Sequence, residues 1–277
     1  MKLTMVVSQG CSEDTAYLCR YIRDCFGKDI DTKELTTMNL IKLTDYFKSI
    51  VSNNTALHYC SRIKAALGKF SDVAPIPGNI AKLTLKQEDS IHTFLTKDEL
   101  RKLEALIPDT HGSDLMYLLY FLVSAYTGCR TSDALRMNTA RAKNGKLIFV
   151  CQKTKRKAET VVNDKVISWI DTLQRIAPEY TYAKIDYNHA IKELCQRAGI
   201  DEIVATYRGG KEKVTPKWVV VSPHTARRSF ATNLYLFGLD IFSISKMMAH
   251  SSTEMTARYI CCGLKEIDDS VMNYFAD

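Results

Sequence analysis

"SDLMYLLYFLVSAYTGCRTSDAL", Ser113 to Leu135, is the stretch on which the fold turns. Its first sixteen residues are apolar nearly all the way round, which predicts a helix buried on every side in the middle of a domain. Gly128 ends that helix, since glycine takes the left-handed conformation a helix terminus often requires. Arg130 and Asp133 follow at once. A guanidinium presented by the end of a buried helix is usually a cap or an ion pair, and sometimes a ligand-gripping group. The stretch alone leaves both open.

Toward the C-terminus, "KLIFVCQKTKRKAETVVN" (146–163) reads as two β runs around a basic turn, a hairpin that presents Lys153 beside Lys155, Arg156 and Lys157. Helical stretches follow in "DKVISWIDTLQRI" and "AKIDYNHAIKELCQRAG", then a second hairpin around "YRGGKEK", then helices from His224 onward. "PHTARRSF", Pro223 to Phe230, puts a histidine and two arginines within one helical turn or so. Residues three and four apart share a face, so His224 stands beside Arg227 or beside Arg228, and spacing does not choose. "MMAHSSTEMTARYI" offers His250 and, nine residues later, Tyr259.

Toward the N-terminus, Thr96 with Glu99 forms a capping box at a helix start. "SDVAPIPGN" (71–79) cannot continue a helix and reads as a linker. Before it, "TAYLCRYIRDCF", "MNLIKLTDYFKSIV" and "TALHYCSRIKAALGKF" carry apolar stripes at helical spacing, with Asn53 and Asn54 as the expected cap of the third. The expected fold is mainly α (α+β). A helical domain covers 1–85, a linker lies at about 72–95, and a helix-rich domain with a small sheet covers 96–277.

The chain has 277 residues, 46% apolar and 25% charged, which suits about two soluble globular domains. No apolar run approaches the ~18–20 residues that span a bilayer, and the start is too short in apolar residues for a signal peptide, so no membrane partner and a cytoplasmic location are expected. Nine cysteines show no C-x-x-C pair and no matching histidine spacing, which points to reduced packing residues and no metal site. The net charge of +7, concentrated around 153–157 and in "YRGGKEKVTPKW", suits an anionic partner.

Taken together, the four polar pieces resemble the tyrosine recombinase (phage integrase) family. The family's first arginine box, T-G-x-R-x-x-E-x-x-x-L, is matched by Thr127, Gly128, Arg130 and Asp133. Its second, H-x-x-R followed by an F-A-T-x-L-like helix, then G-H and a tyrosine, is matched by His224, Arg227, "FATNL", His250 and Tyr259. The match is strong over about 96–262 and weak over the N-terminal helices. One box would mean little; all of them in order are hard to produce by chance. Two positions depart from the pattern: Asp133 stands for a glutamate, with a less certain reach toward the arginine boxes, and Ala249 stands for a glycine, so its backbone must tolerate a Cβ.

The resemblance implies a fold and a reaction. The front would be a SAM-like core-binding domain and the rest a catalytic domain of the DNA breaking-rejoining enzyme type, the two forming a clamp on duplex DNA. Tyr259 would attack the scissile phosphodiester to give a 3′-phosphotyrosyl intermediate, and strand exchange and religation would follow. Arg130 and Arg227 would hold the non-bridging oxygens, which paired guanidinium donors suit. Lys153 would protonate the 5′-hydroxyl leaving group; His224 and His250 would exchange protons or bind phosphate oxygens; Asp133 would support the arginine boxes.

Lys155, Arg156, Lys157 and Arg228 would contact DNA phosphates, with a structural ion pair as the other reading of Arg228. No metal, cofactor or ATP is implied. The partners would be double-stranded DNA with specific core sites and three further protomers, a tetramer on two duplexes, from a chain monomeric in free solution. The source would be a bacterial mobile element or prophage, and the tail after Tyr259, with helical spacing at Leu264, Ile267, Val271 and Tyr274, would dock on a neighbouring protomer. Too few residues precede the first expected helix for the arm-binding domain of lambda-type integrases. A type IB topoisomerase, or a catalytically idle DNA-binding regulator with the same fold, are the alternatives.

Overall fold

A computed structural model describes residues 1–11, 14–88, 92–134, 136–137, 142–177, 184–208 and 211–261. The expected tail helix after Tyr259 lies outside them. The chain forms two compact units, one of residues 1–90 with 207–211, the other of residues 91–206 with 212–277.

The first unit is built on α1 (Leu3–Gly10), α2 (Ala16–Phe26), α3 (Thr37–Ile50) and α4 (Asn53–Lys69). The apolar stripes read from the sequence face one core, with Leu18, Ile22, Leu40, Leu43, Phe47 and Ile63 fully buried. The helix α1 is not among the expected ones. It is only eight residues long, with two adjacent valines, so its own helical signal is weak; it forms because Leu3, Val6 and Val7 enter that core. A Cβ on Gly10 would come within 2.6 Å of the Ala66 side chain, so only glycine lets α1 cross α4 this closely.

Asn53 and Asn54 do not cap α4. Its N-cap is Ser52, and the asparagines instead clasp the chain that leaves the helices: Asn53 donates to Lys86 O at 2.7 Å, while Asn54 donates to Glu88 O at 2.8 Å and accepts from Glu88 N at 2.9 Å. Residues 72–88 run back over this unit, burying Ala74 and Leu83 in its core. The prolines break the helix here but do not free the chain.

The second unit opens with α5 (Lys97–Ala105), whose Thr96–Glu99 capping box is formed in both directions. Next comes α6 (Gly112–Thr127), with eleven of its sixteen residues buried, as its all-round apolar sequence requires. The short α7 (Thr131–Ala134) leads to a three-stranded antiparallel sheet of β1 (Ala142–Lys143), β2 (Lys146–Val150) and β3 (Lys157–Val161), in that order. In the β2–β3 register Lys146 faces Val161 and Val150 faces Lys157, which turns Leu147, Phe149, Ala158 and Thr160 inward.

Then follow α8 (Asp164–Ile176), α9 (Lys184–Arg197) and the two-stranded hairpin β4 (Ile203–Arg208) and β5 (Lys211–Pro216). The chain continues through α10 (Lys217–Val220), α11 (Pro223–Leu236), α12 (Ile241–Met247) and α13 (Thr253–Ala257). Helix α6 lies against α8, α9 and α11. Among the described residues no helix is long and apolar enough to cross a membrane, and none of the eight described cysteines is in a disulfide.

Gly128 terminates α6 at φ 68°, and a Cβ there would sit 2.5 Å from the Phe230 ring of α11. Gly128→Ala combines left-handed strain with overpacking and should destabilise the protein by roughly 3 kcal/mol in urea denaturation. Gly199, at φ 64° with nothing within 4 Å of its Cβ position, isolates the first term; Gly199→Ala should cost only about 1 kcal/mol. Equal losses would refute the packing half of this account.

Candidate active site

The stop at Gly128 makes the first wall of the site. Ser124 Oγ donates to Cys129 O at 2.5 Å and holds the turn from which Arg130 emerges. Arg130 Nη1 is buried without a hydrogen-bond partner. Buried donors are almost always satisfied, so an orphan beside a cavity points to an absent acceptor.

Helix α11 supplies the second wall. Ser222 caps it, Pro223 occupies its first turn, and His224 comes next, where the helix dipole favours anions. Three residues on, Arg227 is only 1% exposed. It donates to the carbonyls of Gly128 and Met248, and its Nη2 lies 2.8 Å from His250 Nε2. It thus ties the end of α6 to the segment after α12. Arg228, by contrast, is half-buried, and among the described residues it has no hydrogen bond or ion pair. Arg227 is therefore the arginine bound to His250, while Arg228 and Arg227 both act on His224 through their charge.

A guanidinium can only donate, so His250 Nε2 must accept, and the ring proton belongs on Nδ1, which lies 3.0 Å from Thr256 Oγ1. Tyr259 follows α13. Its Oη is 2.7 Å from His224 Nε2. Its ring lies 4.9 Å from that of His250 and 5.4 Å from that of His224, with the Arg227 guanidinium 5.4 Å from its centroid. The backbone is held as firmly: Tyr259 N donates to Thr256 O at 2.8 Å, and Tyr259 O accepts from Thr232 Oγ1 at 3.3 Å. Thr232 belongs to α11, so the helix that carries the histidine and arginine also anchors the tyrosine.

Arg130, Lys153, His224 and Arg227 line one cavity of about 810 Å³, with Ser132 and Asn188 among its uncharged lining. Tyr259 and His250 are bound to that lining through His224 and Arg227. Among the described residues no carboxylate forms a salt bridge with Arg130, Lys153 or Arg227. Uncompensated cations around a polar cavity attract an anion, and guanidinium forks fit a phosphate. Among the described residues no group of His, Cys, Asp and Glu side chains is placed to hold a metal.

The charge also acts on the histidines. Desolvation, reinforced by Arg227 and Arg130, pushes His250 down to about 4. Desolvation with Arg228, Arg227 and Arg130 pushes His224 down as well. Both rings are neutral at pH 7. Because the folded value lies below the ordinary 6.5, the stabilisation is complete above about pH 6.5 and is lost as pH falls through 4. For the buried His250 this amounts to as much as about 3 kcal/mol. Urea midpoints should therefore fall between pH 6.5 and 4, and His250→Gln should flatten that slope; an unchanged slope would contradict the buried neutral ring.

Other expected site residues divide. Asp133 is buried, but its Oδ1 accepts from Gln152 N at 2.8 Å and pairs with Arg136 at 3.6 Å, rather than reaching Arg130 or Arg227. The short side chain ends on the hairpin backbone, next to Lys153. Arg156 donates to His250 O at 3.3 Å, and it is exposed, as are Lys155, in the left-handed region at φ 55°, and Lys157. Ala249 does adopt φ 50°, in the place where the glycine was missing. Thr232, Thr256, Ser132 and Asn188 were not singled out from the sequence, since nothing local distinguishes a threonine that holds a ring from one that fills a helix.

The helix-rich fold with small antiparallel sheets is that of tyrosine recombinases and integrases. The pattern of the phage integrase family matches residues 93–262, and the chain belongs to that family. It is 25% identical over 187 residues to tyrosine recombinase XerA of Thermococcus onnurineus, covering 63% of this chain and 60% of that protein. It thus spans about three-fifths of the first relatives it matches, which include XerA of Thermococcus kodakarensis. Tyrosine recombinase XerC of Pediococcus pentosaceus is 24% identical over 99% of this chain and 96% of its own length.

Among solved structures, the Tn1549 transposon integrase in complex with transposon right end DNA superposes with a TM-score of 0.67 at 15% identity, over 100% of both chains. A lambda integrase dimer bound to a core site gives 0.64 at 17% identity, over 93% of this chain and 92% of its own. At these identities the likeness is one of fold.

Proposed function

We propose that this protein is a site-specific DNA recombinase that cuts and rejoins strands through Tyr259. The observation that carries the reading is the 2.7 Å contact of Tyr259 Oη with the neutral His224, in a network with Arg227 beside a cation-lined cavity. The DNA held by the two solved relatives supports duplex DNA as the substrate.

In the proposed reaction His224 Nε2 accepts the phenolic proton while Oη attacks the phosphorus. The P–O5′ bond breaks, and the departing 5′-oxygen takes a proton from Lys153. Arg130, through its unpartnered Nη1, and Arg227 stabilise the charge on the non-bridging oxygens. The phosphotyrosyl ester keeps the energy of the original diester, so the reverse attack by a 5′-hydroxyl reseals DNA without ATP. Asp133 holds the backbone beside Lys153 and so sets where that lysine can reach.

The helical unit at the front is read as the core-binding domain. The exposed Lys155 and Lys157 are read as phosphate contacts, so affinity should fall steeply with salt. Four protomers on two duplexes would exchange strands.

The test is a covalent trap. The full chain is mixed with nicked duplexes drawn from the DNA that flanks its gene, denatured in detergent, and any adduct is mapped by mass spectrometry. The expected result is one adduct, on Tyr259. An adduct on another residue, or tight binding with no adduct, would overturn the proposal, the second outcome in favour of an idle regulator.

A further inference from the structure

Thr256 has no part in the proposed reaction, yet it touches two of the residues that do. Thr256 is fully buried in α13, and its hydroxyl meets His250 Nδ1 at 3.0 Å, while its carbonyl accepts from Tyr259 N at 2.8 Å. On the far side of the same imidazole, Arg227 Nη2 donates to Nε2 at 2.8 Å. The ring is clamped between a group that can only donate and one that can do either.

Building on the recombinase reading, we propose that Thr256 is a positioning residue: its hydroxyl oxygen accepts the Nδ1 proton of His250 and keeps Nε2 turned to Arg227 as an acceptor until a phosphate takes the guanidinium.

Two consequences follow from the hydrogen-bond inventory. In the free protein the two neighbours fix the tautomer together: Arg227 disfavours a proton on Nε2, and Thr256 Oγ1 supplies the acceptor that a buried proton on Nδ1 needs. Once a phosphate oxygen draws Nη2 away, Nε2 has an anion in front of it and takes a proton from a hydronium ion of the solvent, an O–H bond breaking and leaving water as the N–H bond forms; the new N–H then donates to a non-bridging oxygen. Thr256 accepts from Nδ1 in both states, so the ring does not turn between them.

The groups that bear on the imidazole are Arg227 and His224 from α11, Arg130 from the turn after α6, the Tyr259 ring, and Arg156 of the hairpin on the His250 carbonyl. All the charged ones are cationic, so the imidazolium forms only when the phosphate is present. Because Thr256 also accepts from Tyr259 N, the orientation of His250 and the seat of the nucleophile share one residue.

Thr256→Val keeps the shape and removes the acceptor; Thr256→Ser keeps the acceptor. Two measurements on the full chain separate them from the parent. Nitrogen-15 spectra of histidine-labelled free protein should show His250 protonated on Nδ1 in the parent and in Thr256→Ser, and protonated at least partly on Nε2 in Thr256→Val. Single-turnover adduct formation on a nicked duplex should be roughly 10- to 100-fold slower in Thr256→Val and restored in Thr256→Ser.

In Thr256→Val the imidazolium is harder to form. The limb on which the rate falls with rising pH should therefore move to lower pH. A parental tautomer and pH profile in Thr256→Val would overturn the inference, and so would equal losses in both variants with the tautomer unchanged, which would mean packing alone. If the parent forms no adduct, the recombinase reading fails, and the spectra of the free protein still decide this one.

Discussion

Tyr259→Phe is expected to bind duplex DNA as the parent does and to form no covalent adduct, with strand transfer reduced by more than roughly 10⁴-fold. The size follows from the proposed role: without the phenolic oxygen the proposed reaction has no nucleophile, and neither His224 nor the arginines can replace it. The ring itself is retained. Its contacts with His224 at 5.4 Å, His250 at 4.9 Å and Arg227 at 5.4 Å are made by carbon, and its backbone stays tied to Thr232 and Thr256. What is lost is the hydrogen bond to His224, about 1 kcal/mol, together with the polar contact of the hydroxyl with Arg227. A filter-binding isotherm and a detergent gel on one duplex read both properties. Residual adduct above that level would mean that another residue attacks.

Arg227→Lys is expected to lose both chemistry and stability, for separable reasons. The guanidinium reaches Gly128 O, Met248 O and His250 Nε2 at once, from a position 1% exposed. An ammonium on a single stem cannot span those three directions. Two buried charge-assisted bonds broken should cost roughly 3 kcal/mol in urea denaturation, measured without DNA. Single-turnover adduct formation should fall by roughly 10³-fold, because the planar fork facing the transition-state oxygens is gone. If stability falls and the rate on saturating DNA does not, Arg227 is a structural strut and Arg130 alone grips the phosphate.

Much of the fold could be read from local sequence. An all-apolar run ending in glycine has few alternatives to a buried helix with a left-handed stop, and α6 with Gly128 at φ 68° is the result. The Thr96–Glu99 box and the basic hairpin are likewise local devices whose signals lie within a few residues of one another. What was not legible depended on distant partners. Helix α1 has little helical character of its own and forms because α4 leaves room for it at Gly10 and Ala66. Asn53 and Asn54 look like caps until the chain at 86–88 returns to them.

The same division runs through the site. By itself, the sequence determined the cast: arginine, lysine, histidine and tyrosine types in an order that resembles one family, because such boxes are contiguous and survive as patterns of spacing. It could not decide between Arg227 and Arg228 by geometry, since both lie within reach of His224 on a helix.

Tertiary structure decided that Arg227 is the buried one, that Asp133 serves the hairpin backbone, that Arg156 reaches the His250 carbonyl, and that Thr256 meets the imidazole. The physical reason is the same in each case. A hydrogen bond is set by a few tenths of an ångström between groups that may be a hundred residues apart, such as Arg227 and Gly128. Only the packed chain brings such groups together, and only their contact tells which of two neighbouring arginines is buried against His250.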